Sequence, residues 1–387
     1  MKVSFLTGTV YGMGGIVRTT VNLANHLARR GHDVELISAF RDHDRPHFTI
    51  DGRVKMRDLV DRRVTRPRRA VRRRLAEPSR VVPEEDVLFG QVNAQTDHQL
   101  QRVLKRLRSD VLISTRPSLN IAAAMFTAGR VVLVGQEHTT LEYHKAGVLP
   151  HLRQWYPKLD AFVTLSDEEK IAYERFLSGS PVDIHAIPNG IPEMAYPRSR
   201  QENRVVMAAG RLAKIKGYDR LLTAFAQVVR EHPDWQLRLY GDGTQRNKLR
   251  RLAGELGIYN NVTFMGKTAD IEGAFAKASI HAMSSHIEGF AMTIVEALAC
   301  GVPTVSFDCP RGPRQIIDHE HNGLLIPDGD VDALARGISG LIEDDTRRRR
   351  LAANALVSAE AFGIGQIGAR WEDLLTGLIA AKRSSGG

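Results

Sequence analysis

Cysteine is scarce in this sequence, and its scarcity excludes several classes of protein. Only Cys300 and Cys309 occur among 387 residues. Two cysteines cannot form a disulfide framework or a zinc site of four thiolates. We therefore expect both to be reduced thiols, packed in the interior of an intracellular, cytoplasmic protein.

Long apolar runs are missing as well. No stretch reaches the about 18 apolar residues that a membrane span requires. The first apolar run, which begins at Met1, is too short for a signal peptide. These absences predict a soluble protein, or one that contacts a membrane only at its surface.

Acidic residues are outnumbered, with 54 Lys and Arg against 44 Asp and Glu, which gives a formal charge of +10. This balance favours an anionic partner, namely phosphate, nucleic acid or an acidic membrane, without choosing among them. Hydrophobic residues make up 43% and charged residues 25%, which excludes wholesale disorder. The length favours two or three domains.

Short apolar runs alternate with amphipathic runs through most of the chain, and this alternation is typical of parallel α/β sheets covered by helices. The pattern stops at residues 188–203, which are polar or rich in proline, and then restarts. We therefore predict two Rossmann-like domains at residues 1–190 and 204–360, joined by a linker at 191–203. Residues 361–387 are predicted to form a C-terminal helix that packs back on the first domain, with a disordered tail from Ser384. The predicted strands are Lys2–Leu6, Asp33–Ser38, Val111–Ser114, Val131–Val134, Phe162–Leu165, Ile184–Ile187, Arg204–Ala209, Gln236–Tyr240, Val262–Met265, Ser279–Ala282, Thr304–Phe307 and Gly323–Ile326.

One basic segment interrupts the alternation. Between Arg53 and Arg80 there are 12 Lys and Arg but only three acids, so the segment carries nearly all of the net charge. It is interpreted as an insertion, and three roles remain open for it: a solvated, mobile loop, a docking patch for an anionic membrane or polyanionic acceptor, or a nucleic-acid surface. The last is disfavoured because no aromatic side chain is present to stack on bases. A second basic run, Arg347–Arg350, is expected to be a solvated helix face.

The most informative stretch is Ser284–Pro303. Glu288 is predicted to lie in the loop at the carboxyl end of a strand, and Glu296 to lie more than a turn into the following helix. Between them, the free N–H groups of residues 290–293 would form an anion site that Gly289 leaves accessible. Two carboxylates beside a phosphate site fit a ligand that carries sugar hydroxyls on both sides of its phosphate. The alternative is an acid placed favourably at a helix start together with a solvent-facing glutamate.

A second stretch, Ala209–Gly217, follows the first strand of the second domain. Arg211 and Lys216 would emerge at the carboxyl end of this strand, where they could bind a diphosphate. The alternative is that they are two ordinary surface cations.

Together these motifs resemble glycosyltransferase family 4, whose members are retaining enzymes of the GT-B fold. The resemblance covers nearly the whole chain. It rests on the Gly-Arg-Leu…Lys-Gly stretch at 210–217, Glu-Gly-Phe at 288–290 with Glu296 eight positions on, Gly14-Gly15 with Arg18, Asn189-Gly190, Gly241-Asp242-Gly243, and Asp-Cys-Pro-Arg-Gly-Pro at 308–313. The resemblance implies an acceptor-binding first domain and a nucleotide-sugar-binding second domain, whose parallel sheets face each other across a cleft.

The resemblance also implies roles for individual residues. Arg211 and Lys216 would neutralise the donor diphosphate, Glu296 would bind the ribose, and Glu288 would contact the sugar hydroxyls. The remaining implied donor contacts are Gly14, Gly15, Gly210, Gly266, Lys267, Gly289, Phe290, Ala291 and Met292. His138, which ends a strand of the first domain, would face the sugar and the acceptor, and Glu142, Tyr143 and His144 would belong to the acceptor pocket by location alone.

The implied function is retaining transfer of a hexosyl group from a nucleotide-diphosphate sugar, with UDP favoured by family frequency, to an acceptor hydroxyl. His138, Arg211, Lys216 and Glu288 are the expected catalytic group. No cofactor and no metal are expected, since cationic side chains can stabilise the leaving group. The 308–313 stretch resembles members that modify cell-wall, capsular or teichoic-acid-type acceptors. Two alternatives remain: a non-catalytic nucleotide-sugar-binding subunit that partners another transferase, and a GT-B sugar-nucleotide epimerase.

Overall fold

The computed structural model describes residues 1–64 and 68–385, and the chain forms two compact units. Unit 1 contains Met1–Pro192 together with the C-terminal segment that begins at Ile364, and unit 2 contains Glu193–Gly363. No helix of the described residues has both the length and the apolar character needed to cross a membrane.

Unit 1, within the described residues, is built on a parallel sheet of seven strands with the order β3-β2-β1-β4-β5-β6-β7. Its central strands are buried along almost their whole length, as expected for a parallel sheet covered on both faces. The strands are β1 (Lys2–Thr7), β2 (Asp33–Arg41), β3 (Lys55–Asp61), β4 (Val111–Thr115), β5 (Val132–Gln136), β6 (Ala161–Thr164) and β7 (Asp183–Ala186).

The helices of unit 1 lie between these strands, and a last one comes from the C-terminus of the chain. Helix α13 packs against α1 and contributes the fully buried Trp371 to the same core as β1. The helices are α1 (Gly15–Arg29), α2 (Arg69–Ala76), α3 (Ala94–Leu104), α4 (Pro117–Phe126), α5 (Leu149–Trp155), α6 (Asp167–Phe176) and α13 (Ile364–Ser385).

Unit 2 repeats the arrangement with a parallel sheet of six strands in the described residues, in the order β10-β9-β8-β11-β12-β13. Its strands are β8 (Val205–Ala209), β9 (Gln236–Tyr240), β10 (Val262–Gly266), β11 (Ile280–Met283), β12 (Thr304–Phe307) and β13 (Gly323–Ile326). Its helices are α7 (Tyr218–Glu231), α8 (Arg246–Glu255), α9 (Ile271–Phe275), α10 (Met292–Ala299), α11 (Val331–Glu343) and α12 (Asp345–Ala359). The predicted α/β class with two parallel sheets is confirmed, and a strand is present at each predicted place.

The basic segment is not a simple insertion, so that prediction was wrong in its first part. Its residues 55–61 form β3, which pairs in parallel with β2 at the edge of the sheet. Only Val60 of this strand is buried, so an edge strand of this kind has no apolar pattern to mark it. After residues 65–67, which lie outside the described residues, the segment continues as α2.

Two smaller expectations also need correction. Arg348 is not part of a solvated face: it is 5% exposed and donates to the carbonyl oxygen of Leu341 at 2.6 Å and to that of Gln201 at 3.3 Å. The tail does not become irregular at Ser384, because α13 runs to Ser385. Residues 386 and 387 of the predicted disordered tail lie outside the described residues.

Candidate active site

Two loops of unit 2 meet at the carboxyl edge of its sheet. The loop after β8 contains Lys216 and Gly217, and the loop after β11 contains Ser284 and Glu288. Gly217 has φ +59°, and a Cβ atom there would lie 2.1 Å from the carbonyl oxygen of Ser284. A glycine is therefore required for the two loops to approach so closely.

Lys216 and Glu288, which the sequence placed in one donor site, form an ion pair. The Lys216 Nζ atom lies 2.5 Å from Glu288 Oε1, and the Ser285 Oγ atom donates to the same oxygen at 2.6 Å. The Glu288 side chain is 10% exposed and that of Lys216 is 28% exposed. One carboxylate oxygen thus holds two donors, and Oε2 accepts no hydrogen bond from the described residues.

The loop that holds Glu288 is itself fixed by Arg220, a residue that the sequence analysis did not identify. Its Nη2 atom donates to the carbonyl oxygens of Ser284 and Ser285 at 2.7 and 2.8 Å. Its Nη1 atom lies 3.0 Å from Asp328 Oδ1, and the guanidinium lies 4.5 Å from the centre of the Phe307 ring. Arg220 therefore ties two strand ends to the loop while its charge is balanced by Asp328.

The helix that follows Glu288 begins at Met292. The Met292 N–H, expected to be a free donor, donates to the Phe290 carbonyl oxygen at 2.9 Å. The Phe290 side chain is buried and meets the Phe362 ring edge-on at 5.9 Å, and Ala291 is buried as well. Glu296 lies one turn inside the helix and is 4% exposed, so it does not face solvent.

Gly210, Gly266 and Lys267 lie along the same sheet edge. The Gly210 N–H donates to the carbonyl oxygen of Tyr240 at 2.9 Å, and the Gly241 N–H donates to that of Gly266 at 2.8 Å. These bonds connect the ends of β8, β9 and β10, so Gly266 and Lys267 lie two strands from β8.

Arg211 is an exposed cation of this edge, as are Lys214 and Lys267. Its side chain makes no ion pair within the described residues, in contrast to Lys216. The positive charge of Arg211 is therefore available to a ligand, whereas that of Lys216 is balanced by Glu288.

Two other titratable groups close to Glu288 are held neutral. Burial raises the pKa of the Cys309 thiol to about 12, and the negative charges of Glu288 and Asp328 add to the effect. Burial, followed by the charge of Glu288, also raises the pKa of Tyr218. Cys300 and Cys309 are both buried and form no disulfide in the described residues, as expected.

In unit 1, His138 follows β5 at the carboxyl edge of the sheet. It is 9% exposed, and its Nε2 atom is buried without a hydrogen-bond partner among the described residues. Burial lowers its pKa to about 4, with the charge of Glu137 opposing and that of Arg116 adding to the decrease. His138 is therefore a neutral imidazole near pH 7.

A buried carboxylate beside His138 was not identified from the sequence. Glu137 Oε1 accepts from the His138 N–H at 2.9 Å, and its Oε2 lies 3.2 Å from His144 Nε2. Burial disfavours the charged forms of Glu137 and His144, but the attraction between the two side chains outweighs the effect of burial. The pKa of Glu137 is therefore lowered and that of His144 is raised. His144 was assigned to the acceptor pocket by location alone, and it fixes the loop after His138. Tyr143 is exposed and Glu142 lies beside it in a short turn.

Gly14 and Gly15 form the start of α1, after the carboxyl end of β1. Cβ atoms at these positions would meet nothing within 4 Å. The helix N-terminus is therefore open, and its N–H groups are accessible to an anion.

One group of side chains in the described residues has metal-binding spacing. Glu231, His232 and Glu343 offer ligand atoms within 4.8 Å of one another. They lie at the C-terminal ends of α7 and α11, whereas Lys216 and Glu288 lie at the carboxyl ends of strands. Because these helices run back along the sheet, the group lies at the opposite edge and does not belong to the candidate active site.

Comparisons with known proteins agree with this geometry. A sequence model described as Glycosyltransferase Family 4 matches residues 13–193, and one described as Glycosyl transferases group 1 matches residues 193–357. An exopolysaccharide phosphotransferase of Streptomyces coelicolor is 35% identical over 99% of this chain, but the chain spans only 41% of that protein. A Campylobacter jejuni α-1,4-N-acetyl-D-galactosaminyltransferase that acts on an undecaprenol-linked saccharide is 27% identical, with 97% of this chain and 98% of that protein covered.

Solved structures show the same fold. S. aureus TarM, in a complex with fondaparinux, α-GlcNAc-glycerol and UDP, has a TM-score of 0.80 and 14% identity, with 97% and 99% of the two chains covered. Anabaena HepE in complex with UDP has a TM-score of 0.75 and 21% identity, with 97% and 100% covered. Together with the two family models, which jointly span residues 13–357, these findings show that the chain belongs to glycosyltransferase family 4 and has the GT-B fold.

Proposed function

We propose that this glycosyltransferase moves a hexosyl group from a UDP-sugar to an acceptor hydroxyl, with retention of anomeric configuration and without a metal ion. The observation that carries the proposal is the pairing of Lys216 with Glu288 beside the start of α10, with the exposed Arg211 on the same loop as Lys216. The UDP found with TarM and HepE supports the choice of nucleotide. A donor diphosphate would supply the anion that Arg211 lacks.

The residues of unit 2 have complementary roles in this proposal. Arg211 and Lys216 stabilise the negative charge that develops on the leaving diphosphate, as preorganised cations do without rearrangement during the reaction. Glu288 accepts sugar hydroxyls through its free Oε2 atom, and Glu296 binds the ribose. The backbone of residues 289–292 and the strand-end glycines allow the donor to approach closely, with Gly266 and Lys267 beside the base.

For unit 1 we propose the acceptor-binding role, with Gly14 and Gly15 leaving room for the diphosphate. His138 is neutral near pH 7, so it orients a hydroxyl through a hydrogen bond and does not act as a charged acid. We assign no protein nucleophile. The departing phosphate takes the proton of the acceptor hydroxyl, which attacks the face that the diphosphate leaves.

Donor hydrolysis without acceptor tests the proposal. A panel of UDP-, GDP- and TDP-sugars would be offered to the wild type, Glu288→Ala and Lys216→Ala, with Arg336→Gln, an exposed arginine of α11, as the control variant. We expect turnover of one UDP-sugar that is lost in both site variants, kept in the control and unchanged by EDTA.

Three other outcomes of this experiment would contradict the proposal. Donor binding without turnover, even with acceptors present, would favour the non-catalytic subunit. Conversion of the donor to its epimer would favour the epimerase. Loss of hydrolysis in EDTA, restored by Mg²⁺, would contradict metal independence.

A further inference from the structure

The basic segment divides into two parts with different electrostatic character. On the β3 side, acidic partners balance the cations except Arg62, whose guanidinium lies over the Phe40 ring. Lys55 Nζ lies 2.7 Å from Asp33, and Arg57 Nε lies 2.8 Å from Glu35. Arg53 pairs with Asp51, and Arg63 pairs with Asp61 and Asp44. These charges stabilise the sheet edge and its turns, and they are not free to bind a partner.

Helix α2 and the residue before it carry most of the unbalanced charge of the described part of the segment. Arg68, Arg69 and Arg72 are exposed and have no acidic partner among the described residues, and Arg73 has only Glu77, at 3.3 Å. Like charges stand four residues apart, at Arg68 with Arg72 and at Arg69 with Arg73, which disfavours the helix. The first turn also lacks the acid that would suit the helix dipole. The arginines thus oppose the stability of their own helix, which points to a role in binding.

The side chains of α2 favour a polyanion over a membrane. A helix that lies in a membrane interface presents a wide apolar face to the lipid. The two larger apolar residues of α2, Val71 and Leu75, are half-buried, and the exposed residues are arginines and alanines. Arginine binds phosphate through a planar, two-pronged set of donors, which suits repeated phosphate groups. The absence of aromatic residues between Arg53 and Arg80 disfavours a polymer with bases.

The position of α2 connects it with the acceptor side of unit 1. It follows the carboxyl end of β3, and Gly14 and His138 follow the carboxyl ends of β1 and β5 in the same parallel sheet. A polymer bound on α2 would therefore lie close to the carboxyl edge of the sheet, the edge that carries His138.

We propose that the arginine face of α2, formed by Arg68, Arg69, Arg72 and Arg73, binds a polymer whose repeat contains a phosphodiester, and that this polymer is the acceptor. Its identity as the acceptor rests on the proposed function, whereas its binding to α2 does not.

Binding of lipid-free poly(glycerol phosphate) tests the inference, with dextran, phosphatidylglycerol vesicles and duplex DNA as the alternatives. The variant Arg69→Gln/Arg72→Gln is compared with Arg336→Gln/Arg350→Gln, which removes two exposed arginines from α11 and α12 of unit 2. Counterion release contributes about 0.7 to the slope of log K against log salt for each contact with a flexible polyanion. The loss of two contacts should therefore lower the slope by about 1.4 and weaken binding about 25-fold at 0.1 M salt.

We expect this loss in the α2 variant only, with donor hydrolysis at the wild-type rate. Equal weakening in both double variants, or no binding of poly(glycerol phosphate) by the wild type, would overturn the inference. Binding of vesicles or DNA in place of the polymer, lost in the α2 variant, would overturn it in favour of a membrane or a nucleic acid. If the wild type binds the polymer but hydrolyses no donor, the proposed function fails and the polyanion site stands.

Discussion

Replacement of Ser285 by alanine should slow the reaction through Glu288. Ser285 Oγ and Lys216 Nζ both donate to Glu288 Oε1, at 2.6 and 2.5 Å. When a donor diphosphate engages Lys216, Ser285 becomes the remaining side chain that holds this oxygen. The variant Ser285→Ala would then leave Glu288 free to turn away from the sugar, although the ion pair still holds it in the donor-free protein.

The size of the effect follows from the kind of bond. A hydrogen bond to a charged group contributes about 1.5–3 kcal/mol, and the partial exposure of Glu288 favours the lower end because water replaces part of the interaction. About 1.5–2 kcal/mol corresponds to a loss of about 10- to 30-fold in kcat. The KM for the donor should change by about twofold or less, because the diphosphate contacts remain.

The neighbouring serine supplies a matched control. Ser284 Oγ donates to the carbonyl oxygen of Lys216 at 3.0 Å, a bond between uncharged groups that contributes about 1 kcal/mol, so Ser284→Ala should slow the reaction about fivefold. Steady-state donor hydrolysis gives kcat and KM for each variant, and Ser285→Thr should restore the rate because it keeps the hydroxyl. The reasoning is refuted if Ser285→Ala resembles Ser284→Ala, or if the threonine variant is as slow as the alanine variant.

Two further predictions concern stability. Gly217→Ala should lower the free energy of unfolding by about 2 kcal/mol or more, because its φ is +59° and the new Cβ would meet the Ser284 carbonyl oxygen. The control Gly254→Ala, in open space on α8, should raise the free energy of unfolding by about 0.5–1 kcal/mol. Equal effects of the two substitutions in urea unfolding would contradict the close approach of the two loops. Burial lowers the pKa of His281 from 6.5 to about 3, so between these pH values the unfolded chain binds a proton that the folded chain does not, and stability is lost as the pH falls below about 6.5. The variant His281→Asn should lose less stability than the wild type between pH 7 and pH 5, and identical losses would show that this histidine is not the cause.

The sequence was a good guide where burial imposes a pattern. Strands such as β4 and β12 are buried along their whole length, so their apolar runs stand out between polar helices and turns. Strand β3 could not be recognised because its cations pair with Asp33 and Glu35 of the neighbouring strand. Counting the charges within the basic segment does not reveal such pairs. The burial of Arg348 could not be recognised either, because it depends on backbone carbonyl oxygens, those of Leu341 and Gln201, that accept from its guanidinium.

The candidate site was predictable only in its charged residues. The spacing of Lys216, Glu288 and Glu296 after strands carries a signal, and the structure brings the first two into contact. Ser285 and Arg220 act on the same loop, yet a serine and a helical arginine have no distinguishing pattern in a single sequence. Glu137 stands next to a histidine that was identified, but its pairing with His144 depends on how the intervening loop folds.

The origin of α13 has a consequence for how the protein is made. Its residues Ile364, Ile367, Trp371 and Leu375 belong to the core that contains Val3 and Phe5, although they lie at the other end of the chain. During translation, the core of unit 1 therefore lacks the side chains of α13 until all of unit 2 has been synthesised. Unit 2 is continuous from Glu193 to Gly363 and has no such dependence. Unit 1, whose synthesis begins before that of unit 2, is thus completed after it, and a premature stop codon within α13 would destabilise unit 1.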